Sequence, residues 1–375
     1  MKICIDCFAD IELKSIIRAI NQKDDCNMCE AKGNYVYNTD KHTELKAAFN
    51  SLIERYTEKS KLGRDFPSKL TVSLKSELKN NWNIFNKLEE SQIYDILTEI
   101  CSEKYKDSPE VFDGLVGISE LGNDRYLKEN TLFYSETWED FSEEIKYKTR
   151  FHSEKFNTDI FRAYLSLLAI SVSKDTLFYR GRHSNREGHG IGKMRSVPRE
   201  KSQAGRANPK GIPYLYLAND IETVIYELRA VKMNYLTIVE FTLSKQGKII
   251  DLTKIDQISP FIFQSEEMLT LHIVNKKYLE EIHNEIIKPT SDDDTYLDYL
   301  PTQYIFDFIR KNKTLLLDDG DNTNAKQYEI IGVKYKSSLN PTGINYVFFE
   351  DKIFDAKNAM VYKISDVEYK RARIK

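Results

Sequence analysis

The chain has 375 residues, 41 % of them apolar and 12 % aromatic, which is enough for two or three buried cores and excludes a disordered protein. With 55 basic and 58 acidic residues the net charge is −3, which argues against wholesale wrapping of nucleic acid. The first ten residues hold Lys2, Asp6 and Asp10 and lack a signal-peptide core, and the most apolar stretch, Tyr164 to Val172, is about half a membrane span. A soluble, cytoplasmic protein is the expectation.

Five cysteines are present, four of them within the first 29 residues, which is not the distribution of a disulfide scaffold. Residues 1–38 read as a small module. Cys4 and Cys7 form one C-x₂-C pair, and Cys26 and Cys29 form another after 18 intervening residues. Two such knuckles can bring four thiolates around one ion and close a tetrahedron, so a structural zinc site is expected. The plain alternative is four reduced core cysteines. Cys101 reads as a small core residue on a helix.

Residues 39–173 read mostly as helix. Leu45, Phe49, Leu52, Ile53 and Tyr56 recur at three and four residues, as do Ile93, Ile96, Leu97 and Ile100. Phe156, Ile160, Phe161, Tyr164, Leu167 and Leu168 form a further apolar face.

From about Lys174 the character changes. Ten of the 15 glycines and seven of the nine prolines lie beyond it. Strands are expected at Thr176–Arg180, Tyr214–Ala218, Tyr235–Leu243, Tyr328–Tyr335 and Ile344–Phe349, with helices at Ile221–Val231 and Gln303–Lys311. Residues 174–375 are therefore expected to form a mixed α+β domain. The acidic triplet Asp292–Asp294 reads as a solvated loop.

Four pieces of this half carry candidate chemistry. In Tyr179-Arg180-Gly181-Arg182 a strand ends in a basic pair whose guanidinium can grip phosphate, or simply make a rim ion pair. Gly205 to Ala218 places Arg206 in a turn-rich loop and Tyr214 and Tyr216 on one face of a strand, where either ring could be core or stack on a flat substrate. Asn219-Asp220-Ile221-Glu222 starts a helix whose buried face is Ile221, Val224, Ile225 and Leu228. Glu227 sits at the margin of that face, serving a site or pairing with Arg206 or Arg229. Finally, Ser337 and Ser338 lie in a turn between two strands, as caps or as site residues.

These pieces, in this order, resemble the RES domain family. The resemblance is carried by Tyr179-Arg180-Gly181-Arg182, Gly205 to Ala218, Glu222–Arg229, Tyr299-x-Pro301-Thr302-Gln303 and Tyr335-x-Ser337-x₅-Gly343-x-Asn345-x-Val347-x-Phe349. It implies an ADP-ribosyltransferase-like fold and an NAD-degrading toxin or defence effector. By position it implies Arg180, Glu227 and Ser337 as catalytic residues, with Ser338 one place away, and Arg206 and Tyr216 as substrate-binding residues. Arg180 and Arg206 would hold the NAD diphosphate. An antitoxin or activating partner is the further implication.

The N-terminal half resembles the zinc-knuckled HEPN/RES N-terminal domain through Cys4, Cys7, Phe8, Cys26 and Cys29. HEPN nucleases place His a few residues after Arg, whereas His42 and His152 lack an Arg at four to six residues before them, which argues against an RNase role. Two other functions were weighed. Arginine-directed ADP-ribosyltransferases carry Glu-x-Glu, but Ile225 precedes Glu227 and Arg229 follows it. A zinc adaptor for nucleic acid could use Lys193, Arg195, Arg199, Lys201, Arg206 and Lys210, yet that run lacks interleaved aromatics.

Overall fold

The computed structural model describes residues 1–289, 296–317 and 326–368, so the triplet at 292–294 lies outside the described residues. The chain divides into two compact units, one of residues 1–135 and 257–276, the other of residues 136–256 and 277–375.

In the first unit the strands Lys2–Cys4, Lys23–Asp24 and Asn34–Asn38 form a small antiparallel sheet with Asn34–Asn38 in the middle. The helix Ile11–Ile20 follows, capped by Asp10, whose carboxylate accepts from the Glu12 and Leu13 amides. The expected helical periodicities appear as Glu44–Ile53 and Glu90–Ile100. Leu45, Phe49, Leu52, Ile93, Ile96 and Leu97 share one core with Ile3, Phe8 and Leu269. The region is less purely helical than its sequence pattern, because Thr57–Glu58, Val72–Ser73 and Leu115–Gly117 pair into a second small sheet. Cys101 is buried in this core, as expected of a small apolar residue.

The second unit starts at Glu136 rather than near residue 173. Helices α1 (Trp138–Tyr147) and α2 (Thr158–Leu167) lead into strand β1 (Ala169–Val172). Then come β2 (Phe178–Ser184), β3 (Leu215–Ala218), α3 (Ile221–Glu227), β4 (Tyr235–Leu243) and β5 (Gly247–Asp251). Helix α4 (Glu266–Ile287) belongs to the first unit over its first half and to the second over its remainder. After it follow α5 (Leu300–Lys311), β6 (Thr314–Leu317), β7 (Lys326–Lys336), β8 (Ile344–Phe348) and β9 (Phe354–Lys363). The reason α1 and α2 join this unit is aromatic. Phe141 and Phe156 pack on Tyr304 at 5.4 and 5.7 Å between ring centroids, and Phe161 packs on Phe308 at 5.7 Å, both partners lying on α5.

Among the described residues, nine strands of this unit form one sheet in the order β9-β4-β2-β3-β8-β7-β5-β1, with β6 on β7, and of these only β5 and β7 pair in parallel. One apolar cluster takes Phe178, Leu215, Leu217, Val239, Phe241 and Phe348, and a second takes Ala218, Val224, Leu236 and Ile238.

Helix α3 is shorter than its pattern suggested. Asp220, not Asn219, is its cap, accepting from the Thr223 amide at 2.6 Å. Asn219 Oδ1 instead receives the Ile344 amide at 2.8 Å, tying the helix start to β8. What lets α3 lie so close to the sheet is the absence of two side chains. A Cβ on Gly181 would stand 2.4 Å from Val224 Cγ1 and 2.8 Å from Leu228 Cδ1. One on Gly343 would stand 2.6 Å from Thr223 Oγ1. The glycine of Arg180-Gly181-Arg182 thus makes room for a helix.

Gly181→Ala should therefore destabilise the second unit by about 1–3 kcal/mol, the usual cost of overpacking. The denaturant midpoint measures it. A variant as stable as the parent would mean that α3 shifts without cost.

Candidate functional site

Five elements of the second unit, with the loops beside them, enclose a cavity of about 460 Å³. Tyr179 and Arg180 on β2, Tyr216 on β3, Glu227 on α3 and Tyr335, Ser338 and Asn345 on or beside β7 and β8 line it. The volume suits a small molecule or part of a large one. His and Cys are not among its lining residues.

Glu227 is the last residue of α3. A carboxylate is electrostatically unwelcome at the carbonyl end of a helix, so something must hold it there. Its Oε1 accepts from Ser337 Oγ at 2.6 Å and from Asn345 Nδ2 at 2.6 Å. Both donors are buried, while Glu227 as a whole remains exposed. Ser337 is fixed in turn. Its oxygen accepts the amides of Leu339 and Asn340 at 3.1 and 3.0 Å. With its one proton directed at Glu227, Ser337 orients the carboxylate rather than reaching for a ligand. Ser338, not Ser337, lines the cavity.

Arg180 sends Nη1 to the Tyr216 carbonyl at 2.9 Å, and its Nε is buried without a hydrogen-bond partner. Burial, with Arg182 nearby, lowers its pKa to about 10, so it stays cationic at neutral pH. An unpartnered guanidinium N–H beside a cavity is a ready anion donor.

Tyr216 donates its hydroxyl to Asn208 Oδ1 at 2.6 Å, and its ring lines the cavity. Burial pushes its phenol well up, so it is neutral. The loop it touches is clamped from α5. Gln303 Nε2 donates to the carbonyls of Gly205 at 2.7 Å and Asn208 at 3.1 Å, and Thr302 Oγ1 donates to that of Arg206 at 2.9 Å. The stretch Tyr299-x-Pro301-Thr302-Gln303 therefore builds the wall of the cavity.

Arg206 also lines the cavity, but its guanidinium is engaged with a helix end. Its Nη1 donates to the Glu285 carbonyl at 2.8 Å and its Nη2 to the Lys288 carbonyl, both at the C-terminal end of α4. A helix leaves its last carbonyls unpaired and favours a cation there, which is what claims this guanidinium. Its geometry supports a wall and a helix closure rather than a grip on a diphosphate. Arg195 is spent similarly, on the carbonyls of Asp351 and Phe354 at 2.9 and 3.0 Å. The basic run is thereby depleted as a surface for nucleic acid. Asn345 and Gln303 belong to the motifs that resemble the RES family, which give them no role. A polar residue on a strand otherwise of apolar and aromatic residues was the available signal for Asn345.

Residues 182–371, just over half of the chain, match the model of the RES domain. The chain belongs to the RES domain family. Glu227, Ser337 and Asn345 fall within the RES match, and Arg180 stands two residues before it. No curated protein and no solved structure is significantly similar to the chain. Among the described residues, no helix is long and apolar enough to cross a membrane.

The first unit carries a separate cluster. The Sγ atoms of Cys4, Cys7, Cys26 and Cys29 lie within 4.8 Å of one another. Cys4 and Cys7 are 3.7 Å apart, Cys7 and Cys26 3.6 Å, and Cys4 and Cys29 3.3 Å. A tetrahedral ion with metal–sulfur bonds of 2.3 Å would set these edges at about 3.8 Å. The donor set fits a metal ion. The Cys7 thiol and nearby amides hold Cys26 down at about 4, whereas burial raises Cys4 to about 12 and the Cys26 sulfur and burial raise Cys7 further. Four adjacent sulfurs cannot all ionise unless a cation joins them.

The purified protein should hold one metal ion per chain, lost with Cys7→Ser, with a fall in protease resistance of residues 1–38. Elemental analysis and limited proteolysis read the two effects. For Arg206→Ala, the expected outcome is a loss of about 1–3 kcal/mol in stability, partly restored by Arg206→Lys. A normally stable variant that no longer binds substrate would return Arg206 to the binding machinery.

Proposed function

We propose that this RES domain cleaves the nicotinamide–ribose bond of NAD, by hydrolysis or phosphorolysis, as a bacterial toxin or defence effector. The observation that carries the reading is Glu227. It is a carboxylate oriented by two buried donors and set in a cavity shared with a half-buried, incompletely paired arginine.

Breaking this bond passes through an oxocarbenium-like ribose, and nicotinamide leaves with the bonding electrons as a neutral molecule. No strong general acid is needed, which suits a cavity without histidine. Glu227 stabilises the developing positive charge and orients the incoming oxygen. Water adds its oxygen to the sugar and yields ADP-ribose, nicotinamide and a proton. Phosphate as the attacking group yields the 1-phosphate of ADP-ribose instead. Arg180 holds the diphosphate, Tyr216 packs on the ring, and Ser337 keeps Glu227 in place. Arg206 shapes the wall. A fold related to ADP-ribosyltransferases follows from the same reading.

The metal in the thiolate cluster is best read as structural zinc, because four sulfurs leave no position for a reacting ligand. It supports a zinc-knuckled HEPN/RES-type N-terminal region, whose partner would be an antitoxin or activator. Transfer of ADP-ribose to a macromolecule is the rival chemistry, and the missing Glu-x-Glu pair counts against it.

The test is incubation with NAD, with and without phosphate, and identification of products by mass. Glu227→Gln should keep the fold and NAD affinity while lowering turnover by a factor on the order of a hundred or more. Arg180→Ala should weaken NAD binding by about 1.5–3 kcal/mol. Normal turnover in folded Glu227→Gln removes the carboxylate from the mechanism.

A further inference from the structure

We propose that Asn345 is a positioning residue, which selects the reactive oxygen of Glu227 and holds that carboxylate in register with the sheet. The inference rests on the reading of Glu227 as the reacting carboxylate.

Asn345 lies on β8 between two neighbours, facing Tyr335 on β7 and Ala218 on β3. An amide at 8 % exposure in such a strand costs free energy unless it is hydrogen-bonded. The bond it makes reaches off the sheet to α3, with Nδ2 donating to Glu227 Oε1 at 2.6 Å. A carboxylate only accepts, so the amide nitrogen must be the atom that faces it. The Ser337 hydroxyl donates to the same oxygen, also at 2.6 Å.

Both donors meet at one oxygen. Oε1 is occupied, which leaves Oε2 for the reaction. Ser337 reaches Glu227 from a turn and takes its direction from two backbone amides. Asn345 reaches it from an interior strand and so references the carboxylate to the sheet that also carries Arg180. Register between the two ends of the cavity then depends on the amide.

Carboxyl carbon-13 spectra test this directly, with the Glu227 signal identified by its loss in Glu227→Gln. Asn345→Ala removes the donor, and the isosteric Asn345→Asp removes the N–H while keeping the shape. The Glu227 signal should move in both folded variants. NAD turnover should fall about ten- to a hundredfold in Asn345→Ala, the equivalent of one hydrogen bond to a charged group, with little change in KM. In a Glu227→Gln background the same substitution should cost little more. An unmoved signal in folded Asn345→Ala, or an effect confined to KM or to melting temperature, overturns the proposal. If the signal moves but the parent protein does not turn over NAD, the positioning holds and the NAD reading falls.

Discussion

Everything in the cavity depends on how closely α3 can approach the sheet. The helix is only Ile221–Glu227, and its final residue carries the carboxylate, so any lift at the helix moves Glu227 within the cavity. Gly181 and Gly343 set the distance, since a single methyl group at either would overlap Val224 or Thr223. Asn219 and Asp220 fix the start of the helix, while Ser337 and Asn345 fix its end. A short helix has little stability of its own, and here it is pinned at both ends by side chains from other elements.

The polar network around it is arranged in two tiers. Arg180 and Glu227 each keep an unsatisfied demand, a partnerless Nε in one case and an unfavourable helix end in the other. Gln303, Thr302, Asn208 and Tyr216 are paired with one another or with the loop backbone. The groups proposed to meet a ligand are left short of partners, and groups that hold the wall are not. That contrast, more than the residue types, separates site from scaffold.

Much of this was legible from residue order. The strand Tyr235–Leu243 has the expected limits, although its apolar alternation is interrupted at Ile238 and Val239, where the register against β9 shifts. Of the expected site residues, Arg180, Arg206, Tyr216 and Glu227 line one cavity, and Ser338 lines it in place of Ser337, which holds Glu227 from beside it. Roles were less legible than positions. Arg206 could not be recognised as a helix closure, because α4 itself escaped the periodicity reading. Leu269 belongs to the core of the first unit, whereas Leu279, Ile282 and Ile286 are buried farther along, so no single apolar stripe runs the length of the helix. Asn345 escaped because a lone polar residue in a strand has no local signature of what it holds.

The boundary of the second unit shows the same limit from another side. Composition changes near residue 174, where glycine and proline become frequent, but compactness is decided by contacts that composition does not report. Phe141, Phe156 and Phe161 look like ordinary helix-face residues and would suit any helical bundle. Their ring partners, Tyr304 and Phe308, lie more than 140 residues away. Those rings flank the α5 residues Thr302 and Gln303 that clamp the cavity loop, so α1 and α2 brace the wall from behind. The segment before the RES match is in this sense part of the site's support, and a cut at residue 174 would strip α5 of the aromatic face on which that support rests.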